Sequence, residues 1–545
     1  MAADLQIRHG PQRWWILAVL CLSALLVTID NTIVNVALPT LSRALGTSTT
    51  GLQWVVDAYT LLFSGLLLAG GGLGDRLGRK KVLQWGLVLF ILACLGAAAS
   101  GTTDQLIAAR AAMGVAAALI YPATLALLTA VFTDRHEKAA AVGIWSGVSG
   151  LAVALGPVAG GVVLRHYSWN SIFLVNIPVA ALALVAGLRL LPETRDPSPG
   201  RFDVVGAVMS VAAIGLLVWT IIEAPTRGWG TRVTVLGFLG TTVLLGAFIW
   251  WEAQRPNPLL DIALFGNRRF SAASAAIAMA FFGLFGFIFL ITQFFQAVRG
   301  YDTLRAGIAT LPFALVVASM SPAAIVLMKS LGTKIVVVVG LVLMSGGFVV
   351  AALTTAAAAY WGPIVGSMVA IAAGLALTTS PATDAIMGAL STDKAGAGSA
   401  VNDTTREVGG ALGVAVIGSI MNSVYRAHLA DDWSHLGLPA PVITEAKQSV
   451  MAGFSIATKL PNASAAQHIA SDAFMGGMHA GSFAAAAVTA VTAVAALAFL
   501  PGREHAQGLR LSKSSDTQAL PFAATEASPT AKSGGAPSVR YCAGR

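Results

Sequence analysis

The sequence predicts an all-α polytopic membrane protein, and three observations lead to that fold class. Of its 545 residues 56% are hydrophobic and only 11% charged, and the mean hydropathy is +0.76. No soluble globular composition is this apolar. Apolar stretches of about 20 residues, the length needed to cross a hydrocarbon core about 30 Å thick, recur along nearly the whole chain. The polar breaks between them alternate between base-rich and base-poor, as short loops on the two sides of a membrane do.

Fourteen spans follow, at about 14–38, 52–73, 82–100, 104–131, 138–164, 170–192, 203–223, 232–251, 271–297, 305–328, 334–354, 359–388, 396–423 and 477–500. Every second break is basic: Arg76, Arg79, Lys80 and Lys81; Arg135 and Lys138; Arg189, Arg195 and Arg201; Arg255, Arg268 and Arg269; Lys329 and Lys334. The others, such as SGTTDQ and TTAAAAYW, are with few exceptions poorer in Lys and Arg. The positive-inside rule therefore expects both termini in the cytoplasm. The first apolar run has no small-residue cleavage site and is expected to remain as the first helix. Trp14, Trp15, Trp169, Trp250, Trp251 and Trp361 fall near span ends, where an amphipathic indole anchors at the interface.

Two stretches break the rhythm of short loops. Arg426 to Gly476 reads as a long outer loop, and the Ser/Ala/Pro-rich segment after Pro501 reads as a disordered tail. The formal charge of +9 does not point to nucleic acid, because the bases are scattered singly through short breaks and read as topology signals. Cys21, Cys94 and Cys542 have neither disulfide-framework nor metal-ligand spacing. No Walker sequence or other nucleotide signature is present, so no ATP drive and no cofactor are expected. With no nucleophile–base pair and no metal cluster visible, an enzyme is not expected either.

The acids at apparent membrane depth carry the functional question. They are Asp30, in LVTIDNTIVNVALP, with Asp57, Asp384, Asp403 and Glu407. An acid there is expensive and by default faces a cavity. Burial favours its neutral form, while an organic cation favours its ionised form, so a proton and a cation compete for one charge. For Asp30 the alternative is a structural hydrogen bond to Asn31 or Asn35, and for Asp57 an interfacial carboxylate near the outer surface. Asp403 and Glu407 share a helical face, with Arg406 beside it and able to neutralise either; the bland alternative is an ion pair beside packing at Gly409 and Gly410. Asp384 lies close to the cytoplasmic end of its span, where a structural role leads. Arg110, within LIAARAAMGVAAA, needs a partner whether it couples transport or only pairs. The histidines His166, His428 and His479 read as loop or interfacial residues.

The turn GGLGDRLGRKK, Gly71 to Lys81, combines Gly71 and Gly78 for close helix approach with Asp75, Arg76 and Arg79, a charged latch in a tight turn. It resembles the G-x-L-a-D-r-x-G-r-k signature of the major facilitator superfamily, with Gly74 where Ala is frequent. Arg110 resembles the superfamily's R-x-x-q-G motif, with Met113 in place of Gln. GVSGLAVALGPVAGG, with Gly147, Gly156, Pro157, Gly160 and Gly161, resembles the signature of its drug:proton antiporters. WNSIFLVNIPV resembles the entry to span six, with Asn170 where Arg is usual. LVTIDNTIVNVALP, QWVVDAYTL, NPLLDIALFGNRRF and PATDAIMGALSTDKAGAGSAVNDTTREVGGALGVAVIGS narrow the resemblance to the fourteen-span drug:proton antiporter family, its multidrug and quaternary-ammonium exporters and their antibiotic-exporting relatives.

The resemblance, from about residue 12 to about 500, implies the major facilitator fold: two six-helix bundles plus two inserted central helices. The expected organisation is an N-terminal cytoplasmic segment 1–13, a bundle at 14–192, the inserted helices at 193–256, a second bundle at 257–500 that includes the outer loop 426–476, and the tail 501–545. The implied function is proton-coupled efflux of hydrophobic, often cationic compounds across a bacterial cytoplasmic membrane. Partners are then small-molecule drugs or metabolites, protons and the lipid bilayer, with an adaptor protein left open. The alternatives are a dedicated exporter of one antibiotic or metabolite and a non-transporting membrane sensor.

Overall fold

The computed structural model describes residues 12–195, 203–256, 258–390, 395–436 and 438–500. Fourteen long helices run through them: α1 Gln12–Leu45, α2 Thr49–Leu77, α3 Arg79–Ala98, α4 Thr103–Val131, α5 Arg135–His166, α6 Ser171–Leu190, α7 Val204–Arg227, α8 Arg232–Ala253, α9 Arg268–Val298, α10 Thr303–Leu331, α11 Thr333–Ala352, α12 Tyr360–Gly388, α13 Ala395–His435 and α14 Ala463–Phe499. Each coincides with one expected span, and the molecule is a multi-pass membrane protein with two six-helix bundles and two further helices between them. The expected tail 501–545 and the segment 1–11 lie outside the described residues, as do Arg201, Asn257 and residues 391–394.

The polar breaks supply the caps that start these helices. Ser48 accepts from the Gly51 N–H at 3.1 Å, Asp134 from His136 and Glu137 at 3.0 Å, and Asp302 from Arg305 at 2.7 Å. Within the lipid the helices satisfy their own backbone, so Thr and Ser hydroxyls such as Thr32, Thr60 and Thr378 bond back one turn and leave little polar surface. Trp14, Trp15, Trp250 and Trp361 are all more than 40% exposed, as anchors at a lipid interface are. Trp251 instead donates to the Asp203 carboxylate at 2.8 Å and lies under Arg255.

The inserted helices pack on each other, and α7 fills the seam where the two bundles meet along α2 and α13. Leu61, Val218, Ile221, Ile222 and Ala415 form one apolar cluster there. Gln53 on α2 donates to the Val414 and Ala415 carbonyls at 3.1 Å, and Ser419 donates to the Ile221 carbonyl at 2.9 Å. A buried amide and hydroxyl with these partners hold α2, α7 and α13 in a fixed register.

Contacts between the bundles gather at the end opposite the Gly71–Lys81 turn. Gln296 donates to the Val36 carbonyl at 2.8 Å, and a Cβ on Gly307 would meet the Pro157 carbonyl oxygen at 2.3 Å. The expected long loop 426–476 is a correction: α13 continues to His435, two short helices Ala440–Ala446 and Val450–Ala457 follow, and α14 begins at Ala463. Its buried side chains, Leu429, Trp433, Ala446 and Val450 among them, join the main apolar core of the molecule. The segment reaches across to the α1–α2 connection, where Ser449 and Ser42 hydroxyls lie 2.9 Å apart and the Thr49 N–H donates to the Gln448 carbonyl at 2.7 Å. Hydropathy reads such a segment as loop because its apolar face covers protein, not lipid.

Candidate functional site

Asp30 does not face the cavity expected for it. Its carboxylate and the guanidinium of Arg110 are both fully buried, and Arg110 Nη1 donates to Asp30 Oδ2 at 2.6 Å. Asn176 on α6 donates to Asp30 Oδ1 at 2.8 Å. Arg110 Nε donates to the Val55 carbonyl at 3.0 Å, its guanidinium lies 4.3 Å over the Tyr59 ring, and the Tyr59 hydroxyl donates to the Val27 carbonyl. Four helices, α1, α2, α4 and α6, are thus tied at one charge pair. Neither Asn31 nor Asn35 bonds to Asp30; Asn35 donates to the Asn31 carbonyl instead. The sequence reading missed Asn176, whose signal was its place in WNSIFLVNIPV before Pro178.

A cavity of about 250 Å³ lies between the bundles on the other side of α1, which presents Thr28, Asn31 and Thr32 to it. Its walls carry Phe63, Tyr121, Trp145, Phe281, Phe285 and Phe313. Asp403, Arg406 and Glu407 of α13 all line it. Arg406, placed by the sequence where it could neutralise either acid, forms no ion pair with Asp403 or Glu407 among the described residues. Its Nη2 donates to the Thr383 hydroxyl at 3.1 Å, which in turn donates to Asn402 at 3.2 Å. Asn402 donates to Asp403 Oδ1 at 3.4 Å, whereas Glu407 Oε2 is buried with no hydrogen-bond partner. Aromatic faces with an unsatisfied carboxylate suit a flat apolar cation, and equally a proton on that carboxylate.

The remaining acids separate. Asp57 is completely buried on α2, not interfacial, and both of its oxygens lack a hydrogen-bond partner. Asp384, expected at membrane depth, is exposed on α12 and does not line the cavity. Its neighbour Thr383 is the residue that reaches Arg406.

The latch residues hold one end of the first bundle. Arg79 donates to Asp75 Oδ1 through Nε at 2.9 Å, and reaches it through Nη2 at 2.8 Å. Arg79 Nη1 also reaches the Ala126 carbonyl at 3.4 Å. Gly78 turns the chain between α2 and α3 at φ 111°, which an L side chain rarely adopts, and a Cβ there would meet Glu193 Oε1 at 2.4 Å. Arg76 is exposed. The close-approach glycine on α2 is Gly70, whose Cβ would sit 2.0 Å from the Ala118 carbonyl oxygen, and not Gly71, where the nearest atom is 3.6 Å away.

The glycines of α5 also divide. A Cβ on Gly156 would meet Thr32 Oγ1 at 1.9 Å, on Gly160 Ile33 Cγ1 at 2.9 Å, and on Gly161 the Thr303 carbonyl oxygen at 2.6 Å. Gly156, Pro157, Gly160 and Gly161 therefore wedge α5 against α1 and α10, and so join the two bundles. Gly147, expected on the same packed face, is exposed with open space around it.

Comparison with known proteins bears on this arrangement. Residues 20–414 match the family model described as Major Facilitator Superfamily. The chain is 36% identical over 463 residues to the multidrug efflux pump LfrA of Mycolicibacterium smegmatis, covering 84% of this chain and 90% of that one. It is 33% identical over 450 residues to the methyl viologen resistance protein SmvA of Salmonella typhimurium, covering 83% and 90%. It is 33% identical over 430 residues to the methylenomycin A resistance protein of Bacillus subtilis, covering 77% and 88%. Among solved structures, an inward-facing bacterial homologue of the human lysosomal transporter Spinster shares the fold, with a TM-score of 0.63 at 18% identity over 90% of this chain and 98% of that one.

Proposed function

Because the chain belongs to the major facilitator superfamily, we propose that it is a proton-coupled exporter of hydrophobic, often cationic compounds, working by alternating access between its two bundles. The observation that carries this reading is the aromatic cavity at the bundle interface, with Asp403 and Glu407 in its wall and Glu407 Oε2 without a partner. A proton and a cationic substrate cannot both hold that carboxylate, so loading one releases the other. Net charge moved inward gains about 2.3 kcal/mol per elementary charge per 100 mV, so the membrane potential adds drive only where more proton charge enters than cation charge leaves, and a one-for-one exchange runs on the pH difference. Efflux and resistance proteins among its relatives support the same reading.

The base-rich end, with the Gly71–Lys81 turn, faces the cytoplasm in this proposal. The bundles then meet at the outer end, and the exposed half of α5 around Ile144 and Gly147 opens inward. Asp30 acts through Arg110 by holding α1, α2, α4 and α6 together, while Asp75 and Arg79 latch the cytoplasmic end.

The test is efflux of a fluorescent lipophilic cation from intact cells, with and without a protonophore. Wild-type efflux that collapses with the protonophore, and fails in Glu407→Gln, is the expected result. Protonophore-insensitive efflux removes the proton coupling. The methylenomycin A resistance relative favours a second reading, a dedicated exporter of one antibiotic or metabolite. Export of one compound from a broad panel would select it.

A further inference from the structure

A second groove, of about 620 Å³, lies away from the cavity between the bundles. It is formed where α9 ends, α10 begins and α12 begins, at the end of the molecule opposite the Gly71–Lys81 turn. Arg299, Tyr301, Arg305, Tyr360 and Trp361 line it. The two guanidinium groups lie over one ring, at 6.0 and 4.1 Å from the Tyr301 centroid. Among the described residues neither has an ion-pair partner. Arg299 Nη1 donates to the Ala356 and Ala358 carbonyls, both at 2.9 Å, which fixes its plane, and its Nε and Nη2 groups have no hydrogen-bond acceptor among the described residues. The nearby Asp302 uses its carboxylate to cap the backbone N–H of Arg305 and reaches neither guanidinium.

Two positive charges held against one ring repel unless an anion sits with them. They also flank a break on the base-poor side of the alternating pattern, so a topology signal does not account for them. Beside them the groove opens onto exposed apolar side chains, Ile308 at 48%, Leu315 at 67% and Trp361 at 81%. Trp361 marks the depth at which headgroups lie. A guanidinium fork fits a phosphate diester, and aliphatic side chains next to it fit the glycerol and the first methylenes of an acyl chain.

We propose that this groove binds a net-anionic glycerophospholipid, its phosphate between Arg299 and Arg305 and its chains against α10 and Trp361. The site is separate from the transport cavity and does not depend on the proposed function. The test is native mass spectrometry of the purified full chain in detergent, titrated with phosphatidylglycerol, with phosphatidylcholine, or with inorganic phosphate. Arg305→Gln and Trp361→Ala are the variants, both at exposed side chains. The expected result is retention of phosphatidylglycerol over phosphatidylcholine by wild type, weakened roughly tenfold in Arg305→Gln, the scale of one charged hydrogen bond. Trp361→Ala weakens both lipids alike. Equal phosphatidylglycerol binding by wild type and Arg305→Gln overturns the proposal, and so does equal affinity for the two lipids. Displacement of the lipid by millimolar inorganic phosphate would make the site one for free anions and overturn it as well.

Discussion

Arg110 and Asp30 meet at 2.6 Å with neither side chain reaching solvent or cavity. An intramembrane Arg costs about 2.5–3.5 kcal/mol on insertion scales, and here a carboxylate, a backbone carbonyl and a tyrosine face together offset that cost. Arg110 Nη2 alone has no partner.

Removing one member of this pair leaves the other charge buried. Arg110→Gln is expected to destabilise the protein by about 3–5 kcal/mol, and the double variant Asp30→Asn with Arg110→Gln by less than Arg110→Gln alone. Thermal melts of the purified variants in detergent check this. A double variant less stable than either single one would mean the pair is not what ties these helices.

Glu407 makes the opposite prediction for stability. Its Oε2 has no partner to lose, so Glu407→Gln is expected to melt at or above the wild-type temperature. Affinity for a lipophilic cation such as tetraphenylphosphonium is expected to fall roughly tenfold or more, the loss of one charged contact. Equilibrium binding to the purified variant decides it; unchanged affinity would remove Glu407 from the site.

Within one glycine-rich helix the same substitution has different consequences. Gly161→Ala pushes its Cβ onto the Thr303 backbone, which has no rotamer by which to yield, and is expected to cost about 1–3 kcal/mol and to impair efflux. Gly156→Ala meets the Thr32 side chain and is expected to be partly rescued by Thr32→Ala. Gly147→Ala, in open space, is expected to transport normally. Loss of efflux in Gly147→Ala would contradict the packing described.

Gly70 and Gly71 are adjacent and differ as sharply. Gly70→Ala is expected to abolish stable expression, because α2 must move away from the α4 backbone at Ala118, while Gly71→Ala is tolerated. Membrane expression followed by size-exclusion chromatography separates the two, and equal yields would count against this contact.

The fourteen spans were legible in the sequence because hydrocarbon thickness imposes a local rule. A run of apolar residues either is or is not long enough, whatever it packs against. The charged turn at Asp75 and Arg79 was equally local, read from the run GGLGDRLGRKK. The superfamily motifs also marked Arg110, Gly156 and Gly161 as residues of interest, though not what they touch.

Only the tertiary structure decided the partners, because successive residues on a helix point about 100° apart. That rotation puts Asn31 in the cavity and turns Asp30 toward Arg110 and Asn176, and it makes Gly70 the close approach in place of Gly71. Asp384 is exposed while Thr383 beside it reaches Arg406, for the same reason. Hydropathy fails at residues 426–476, where the apolar face is covered by protein and the span rule has nothing to measure. Sequence thus determined which segments lie in the membrane and which charges needed an explanation; the packing of helix faces determined which of those charges meet.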